Sequence, residues 1–305
     1  MEIITYNDLP LESHCVMAIG VFDGVHVGHT VLLETAKEQA KKLGTPLVVF
    51  TFEETPKNEY SKHISSSSEK LALLEEHGVD KVYFEDFASC RDMTPSGFVT
   101  DVLINRFNVL CVVCGHDFMF GKNRSGNTET LKNLLEDSGR TVTVVPPVYV
   151  GNDIVSSTLI RKCISEGNME KASLLLGRNY SFTLPVSEGN HIGRKLGFPT
   201  VNQRFPSYRL VPSFGVYACG TEFDGKSYNG VADIGVKPTV SDKNEINCET
   251  HIFGGSFVLY GKSVKTTLYK KLRDEKKFTS VGELKNEIEK DVEKAKEFFD
   301  KSAKG

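Results

Sequence analysis

The chain has 305 residues, enough for two domains that each bury a core, and its 39% hydrophobic and 25% charged content describes a globular protein rather than a disordered or fibrous one. A net charge of −3 with no basic stripe weighs against nucleic acid, and Met1-Glu2-Ile3-Ile4 offers neither a signal peptide nor a membrane span, so the expectation is a cytoplasmic protein that engages neither nucleic acid nor membrane. The seven cysteines are scattered and mostly flanked by apolar residues, as buried thiols would be, and no disulfides are expected.

From the N-terminus, short apolar runs alternate with helical patterns. Val16 to Ile19 is the first run, and Thr30 to Leu43 reads as a helix, with Leu32, Leu33, Ala36, Ala40 and Leu43 at helical spacing and Gly44 and Pro46 ending it. Between them, Gly20-Val21-Phe22-Asp23-Gly24-Val25-His26-Val27-Gly28-His29 sits where a strand gives way to a helix. Open α/β sheets bind ligands there, and the helix N-terminus offers N–H groups to phosphate. Glycines permit close backbone approach, while His26 and His29 add donors that can follow negative charge on an α-phosphate as it becomes five-coordinate.

Leu47 to Phe52 then reads as a buried strand, Ser66-x-x-Glu69 as a capping box, Lys81 to Phe84 as the next strand, and Thr94-Pro95 as the cap and first residue of a helix running to Phe107. Val109 to Cys114 and Thr141 to Pro146 are strands flanking a helix near Thr128 to Ser138. The alternation predicts a parallel sheet covered on both faces. Cys111 and Cys114, three apart on one strand, point to opposite faces, which favours buried thiols over a redox or zinc pair. After the last strand, Ser156-Ser157-Thr158-Leu159-Ile160-Arg161 opens another helix, so that hydroxyls, free N–H groups and a guanidinium converge on an anion site suited to a leaving pyrophosphate.

Beyond about Tyr180 the pattern changes. Val216 to Cys219, Tyr228 to Ile234, Glu249 to Phe253 and Ser263 to Tyr269 are short runs separated by Gly, Pro, Asn and Asp, as in an antiparallel barrel or sandwich. The chain closes on a helix opened by a Ser280-x-x-Glu283 capping box, with Val281, Leu284, Ile288, Val292, Ala295 and Phe299 on one face. Ahead of the runs lies a basic, glycine-rich loop, Gly189 to Pro199, followed by Thr200-Val201-Asn202. Thr200 and Asn202 present a hydroxyl and a carbonyl oxygen on one side of an extended segment, hard ligands for Mg²⁺.

Together the histidine run, Gly115-His116-Asp117-Phe118-Met119-Phe120-Gly121 and Ser156 to Arg161 resemble the signatures of the bacterial bifunctional riboflavin kinase/FMN adenylyltransferase family. The segments Gly189 to Asn202, Ile234 to Thr239, Cys248-Glu249-Thr250-His251 and Leu272 to Phe278 resemble its kinase half. The resemblance implies a Rossmann-like nucleotidyltransferase domain over residues 1–180 and an antiparallel β-barrel of riboflavin kinase type with a terminal helix over 181–305. It implies that riboflavin is phosphorylated to FMN and FMN adenylylated to FAD, with ATP as co-substrate of both steps and Mg²⁺ as cofactor, in a monomer or weak oligomer. His26 and His29 would contact the ATP phosphates in a site shared by Gly20, Phe22, Asp23 and Gly24, with Asp117 in the cleft and Ser157, Thr158 and Arg161 on the departing phosphates. In the kinase half, Gly193 and Lys195 would belong to the nucleotide loop, Thr200 and Asn202 would hold Mg-ATP, Glu249 would be the base for the ribityl 5′-hydroxyl, and Arg273 would lie on a flavin-side flap. Two departures stand out: Thr51-Phe52-Glu53-Glu54-Thr55-Pro56 replaces T-F-x-P-H-P, and Leu184 stands at the first glycine of G-x-V-x-x-G. The other readings are a single-activity nucleotidyltransferase and a flavin- or nucleotide-binding protein with one site inactive.

Overall fold

A computed structural model describes residues 1–53, 62–189, 192–237, 245–255 and 257–302; the side chains of residues 192, 195 and 237 fall outside it. The chain divides into two compact units, Met1–Ser157 and Thr158–Gly305.

The first unit contains β1 (Glu2–Ile4), β2 (Cys15–Ile19), α1 (Val27–Leu43), β3 (Leu47–Phe52), α2 (Ser67–Glu76), β4 (Lys81–Glu85), the short α3 (Phe87–Cys90) and α4 (Pro95–Gly97), β5 (Val109–Gly115), α5 (Thr128–Glu136), β6 (Thr141–Val145) and the hairpin β7 (Tyr149–Val150) and β8 (Asp153–Ile154). Six strands form one sheet in the order β1-β4-β3-β2-β5-β6, every pair parallel. Alternate strand residues feed two cores. Val16, Ala18, Val49, Val82, Cys111 and Val113 pack with Leu32, Leu33 and Ala36 of α1, while Met17, Ile19, Phe50, Val112 and Cys114 pack with Phe98, Val102 and Leu131 on the other face. Cys111 and Cys114 therefore lie on opposite faces, and all seven cysteines are buried free thiols.

Helix α1 starts three residues before Thr30 because His26 caps it, and Leu43 at its end is exposed. The helix after Thr94-Pro95 is π-wound over Phe98–Arg106. Its buried residues Phe98, Val102, Leu103 and Phe107 recur every four to five positions, so the wider winding keeps them on one face.

The second unit contains α6 (Ser157–Glu166), which the division cuts after its first residue, α7 (Met169–Leu176), β9 (Tyr180–Ser187), α8 (Ile192–Leu196), β10 (Thr200–Arg204), β11 (Gly215–Phe223), β12 (Lys226–Lys237), β13 (Glu245–Ile252), β14 (Ser263–Asp274) and α9 (Val281–Ser302). The strands close into an antiparallel barrel, β10-β13-β12-β11-β14-β9. Closure is made where β9 meets β10, through Asn202 opposite Ser187 and Gln203 opposite Val186. Gln203 is fully buried behind that seam: its Nε2 donates to Leu184 O at 3.0 Å and Val264 O at 2.7 Å, and its Oε1 accepts from Thr266 Oγ1 at 2.7 Å. Helix α9 packs Val292 and Ala295 over Val216, Ala218 and Val231. Its capping box is shifted. Ser280 Oγ accepts the Glu283 N–H, but the Glu283 carboxylate turns to Thr279, and Val281 is exposed. Among the described residues no helix is long and apolar enough to cross a membrane.

Candidate functional site

In the parallel sheet, chain order runs from β2 outward through β3 and β4 and then returns to β5 on the other side of β2. The switch point thus lies between β2 and β5, where an open sheet leaves a crevice at the carboxyl ends of its strands. The 20–29 run leaves β2 and Asp117 follows β5, so the topology brings both to that edge. Asp117 and His116 are exposed there.

The turn between β2 and α1 is unusual backbone. Phe22 (φ 51°), Gly24 (φ 78°) and Val25 (φ 35°) all take positive φ, which for a β-branched valine is strained. A Cβ on Gly24 would also lie 2.9 Å from Ile64 Cγ2. Buried Asp23 secures the turn: its Oδ1 accepts the N–H groups of Ile64 at 3.0 Å and Ser65 at 3.2 Å, while Ser65 Oγ accepts the Gly24 N–H at 3.0 Å. Phe22 is buried against Gly20 and against the ring of His29. Ser157, the last residue of this unit, donates from Oγ to Asp23 O at 3.2 Å.

The two histidines cap α1 reciprocally. His26 Nδ1 accepts the His29 N–H at 3.3 Å, His29 Nδ1 accepts the His26 N–H at 3.4 Å, and the rings stack with centroids 3.7 Å apart. An imidazole that accepts at Nδ1 carries its proton at Nε2. Both side chains therefore hold an Nε2–H donor at the N-terminus of a 17-residue helix, where the backbone already favours anions. Thr158 and Arg161 lie in the first turns of α6, on the far side of the division between the compact units. Glu54, Thr55 and Pro56 lie outside the described residues.

In the barrel, strand register assembles the second constellation. Asn202 of β10 lies directly opposite Glu249 of β13, and Glu249 directly opposite Asp233 of β12, so three polar side chains form one row across adjacent strands. Thr200 shares that face of β10, and its Oγ1 donates to Glu249 Oε2 at 3.4 Å. Gly189 permits the approach of the preceding loop, because a Cβ there would lie 2.5 Å from Asn202 Nδ2. Asp233 is exposed to solvent although protein crowds around its carboxyl. That crowding raises its carboxyl to about 6 against the pull of the Arg273 guanidinium, with Glu249, Glu275 and Asp291 adding to the rise.

The loop of residues 189–199 contains a short helix, α8, that includes Gly193 and Lys195. Arg273 is on β14 rather than on a flap. Its guanidinium grips Asp291 of α9 through Nε and Nη2 at 2.8–3.0 Å. Pro238 and Thr239 lie outside the described residues.

Sequence reasoning passed over Asp233 and Lys70. Asp233 had a signal, a lone acid between Ala232 and Ile234 in an apolar strand; buried Lys70 had none, since it stands in a polar helix.

Residues 9–159 match the FAD synthetase family and residues 176–299 match riboflavin kinase. Bifunctional riboflavin kinase/FMN adenylyltransferases are 35% identical from Bacillus subtilis strain 168, over 94% of this chain and 93% of the relative, and from Escherichia coli K12, over 94% of each. The counterpart from Buchnera aphidicola of Acyrthosiphon pisum is also 35% identical, over 96% of each chain. A solved structure described as a macrolide-efflux protein from Streptococcus pneumoniae superposes with a TM-score of 0.88 at 32% identity, covering 97% of this chain and 99% of its own. That description is the pneumococcal protein's own.

Proposed function

The chain belongs to the bifunctional riboflavin kinase/FMN adenylyltransferase family, and from that premise we propose that the turn of residues 20–29 carries adenylyl transfer while the Asp233–Glu249–Asn202 row carries riboflavin phosphorylation. The enzyme consumes one ATP in each step. Functionally, we assign residues 1–180 to the adenylyltransferase domain and 181–305 to the kinase domain, although the family matches end at 159 and begin at 176 and the compact units divide after Ser157, which draws the boundary toward earlier residues.

In the kinase step the ribityl 5′-oxygen attacks the γ-phosphorus of ATP, the bond to ADP breaks, and Glu249 takes the hydroxyl proton. Thr200 and Asn202 hold the nucleotide end, with Gly193 and Lys195 in the loop that covers its phosphates. Asp233 stands beside Glu249, and Arg273, bound to Asp291, fixes α9. Both families act with a divalent metal; the hard oxygen donors of Thr200 and Asn202 fit Mg²⁺, which when bound would neutralise phosphate charge there. In the second step an FMN phosphate oxygen attacks the α-phosphorus of ATP and pyrophosphate leaves. Gly20, Phe22, Asp23 and Gly24 shape the turn, the Nε2–H donors of His26 and His29 meet charge growing on the α-phosphate, and Ser157, Thr158 and Arg161 receive the pyrophosphate. Asp117 lies in the cleft that takes the nucleotide and the flavin. Seven free thiols suit the reducing cytoplasm, where we place a monomer or weak oligomer.

One observation carries the kinase assignment: register puts Asn202 directly across from Glu249, joining oxygen donors and base far apart in sequence. Incubating the purified protein with riboflavin and Mg-ATP and separating flavins by chromatography should show FMN rising first and FAD after it. A preparation that makes FAD from FMN but no FMN from riboflavin refutes the kinase half.

A further inference from the structure

Lys70, in α2, is 3% exposed, a burial that a lysine adopts only when its ammonium is satisfied. Its Nζ donates to Phe52 O at 2.9 Å and to Val21 O at 3.1 Å and lies 5.6 Å from the Phe84 ring centroid. Val21 O also accepts from the buried Thr51 hydroxyl at 2.9 Å. Both carbonyls stand at the carboxyl ends of adjacent parallel strands. Val21 precedes the strained run Phe22 to Val25, and Phe52 is the last residue of β3.

We infer that Lys70 is a positioning residue for adenylyl transfer: its ammonium fixes the Val21–Phe22 and Phe52–Glu53 peptide planes and so holds the histidine turn in its strained shape at the ligand edge of the sheet. A trans peptide points C=O and N–H in opposite directions, so gripping the two carbonyls turns the N–H groups of Phe22 and Glu53 away from Lys70. An apolar side chain would pack as well over Phe84 but would leave the Phe52 carbonyl without this donor and Val21 O with Thr51 alone. The inference rests on the reading of the first unit as the adenylyl-transfer site.

Among the described residues, the charged groups that act on Lys70 are Asp23 on the turn and Glu53 after β3, with Glu69 beside it on α2; the face from β4 is the neutral Phe84 ring. Burial lowers the ammonium to about 8, against the pull of Asp23 and Glu53. Charge-assisted bonds are about twice as strong as neutral ones, so losing the proton weakens both tethers. The sign of the linked stability is opposite. Between about 8 and the unfolded value of 10.5 the unfolded chain holds the extra proton, so this group makes the fold more stable as pH rises through that window. An alkaline fall in FAD formation is then a loss of positioning and not of folding.

The test compares wild type, Lys70→Met and His29→Ala, assaying FAD formation from FMN and FMN formation from riboflavin from pH 6.5 to about 9.5 in the same buffers. Lys70→Met should lower kcat for FAD formation about tenfold or more, the worth of a charged hydrogen bond, with the kinase rate unchanged. Relative to the kinase rate, wild-type FAD formation should fall above about pH 8, and that fall should be missing from the residual activity of Lys70→Met. A Lys70→Met enzyme with wild-type kcat, or with a lowered melting temperature and an unchanged alkaline limb, overturns the inference. Should the variant not fold, the wild type decides: a flat ratio of the two rates across the range is equally fatal. If His29→Ala leaves FAD formation intact, the site assignment itself fails, which separates that error from this one.

Discussion

His29 does two things at once: it caps α1 through the His26 N–H and holds an Nε2–H donor at the helix end. His29→Ala should therefore reduce FAD formation about a hundredfold or more, the scale of losing a donor to developing charge, and leave FMN formation from riboflavin untouched. Parallel loss of both rates in a folded variant would contradict separate sites. Glu249→Gln keeps the shape of the row opposite Asn202 but cannot take a proton. Its kinase rate should drop about a hundredfold or more with FAD synthesis from supplied FMN preserved; a wild-type kinase rate would strip Glu249 of the role. The two histidines stand in a dense local run, whereas Glu249, a single acid in a strand, entered only through the resemblance to the kinase half. Asp233 showed only as a lone acid in an apolar strand and Lys70 not at all, because their meaning comes from partners on other strands and loops that only folding brings near.

Among the elements, the strands of the parallel sheet were legible wherever an apolar run was long enough, as at Leu47 to Phe52 and Val109 to Cys114. The three-residue β1 offered too little pattern. β9 offered a clear one, with Tyr180, Phe182, Leu184 and Val186 alternating inward, but it lay at the change of grammar and was passed over. The barrel strands extend beyond their apolar runs because their ends carry polar and charged residues, Lys226 and Ser227 of β12 and Glu245 and Asn247 of β13 among them. Helix α9 is pinned by one such residue. Asp291 is 2% exposed and bound by Arg273, so Asp291→Ala takes from a mostly buried guanidinium its carboxylate partner and leaves the Asp274 carbonyl at 2.9 Å and Glu287 at 4.0 Å. That should cost about 3 kcal/mol, the low side for breaking a buried pair. Thermal unfolding of the variant measures it, and an unchanged midpoint would mean that α9 is held by its apolar contacts alone.

For the whole molecule, two units with their own cores predict that the activities can be separated and recombined. A mixture of His29→Ala and Glu249→Gln enzymes should convert riboflavin to FAD although neither does so alone, after a lag in which free FMN accumulates. Failure of the mixture, with each variant's surviving activity intact, would show that FMN does not leave the kinase site.

The barrel's seam has a bearing on motion. The ladder between β9 and β10 is two residue pairs long among the described residues, whereas β11 and β12 pair along nine positions, and the Gln203 amide adds side-chain bonds to Leu184 O of β9 and Val264 O of β14. Local opening follows the weakest ladder, so deuterium should enter the amides of Ser187 and Asn202 well before those of Tyr217 and Ala232. Asn202 belongs at once to this joint and to the nucleotide end of the site. A nucleotide held there would act as a clasp on the barrel, and its departure would free the joint to breathe.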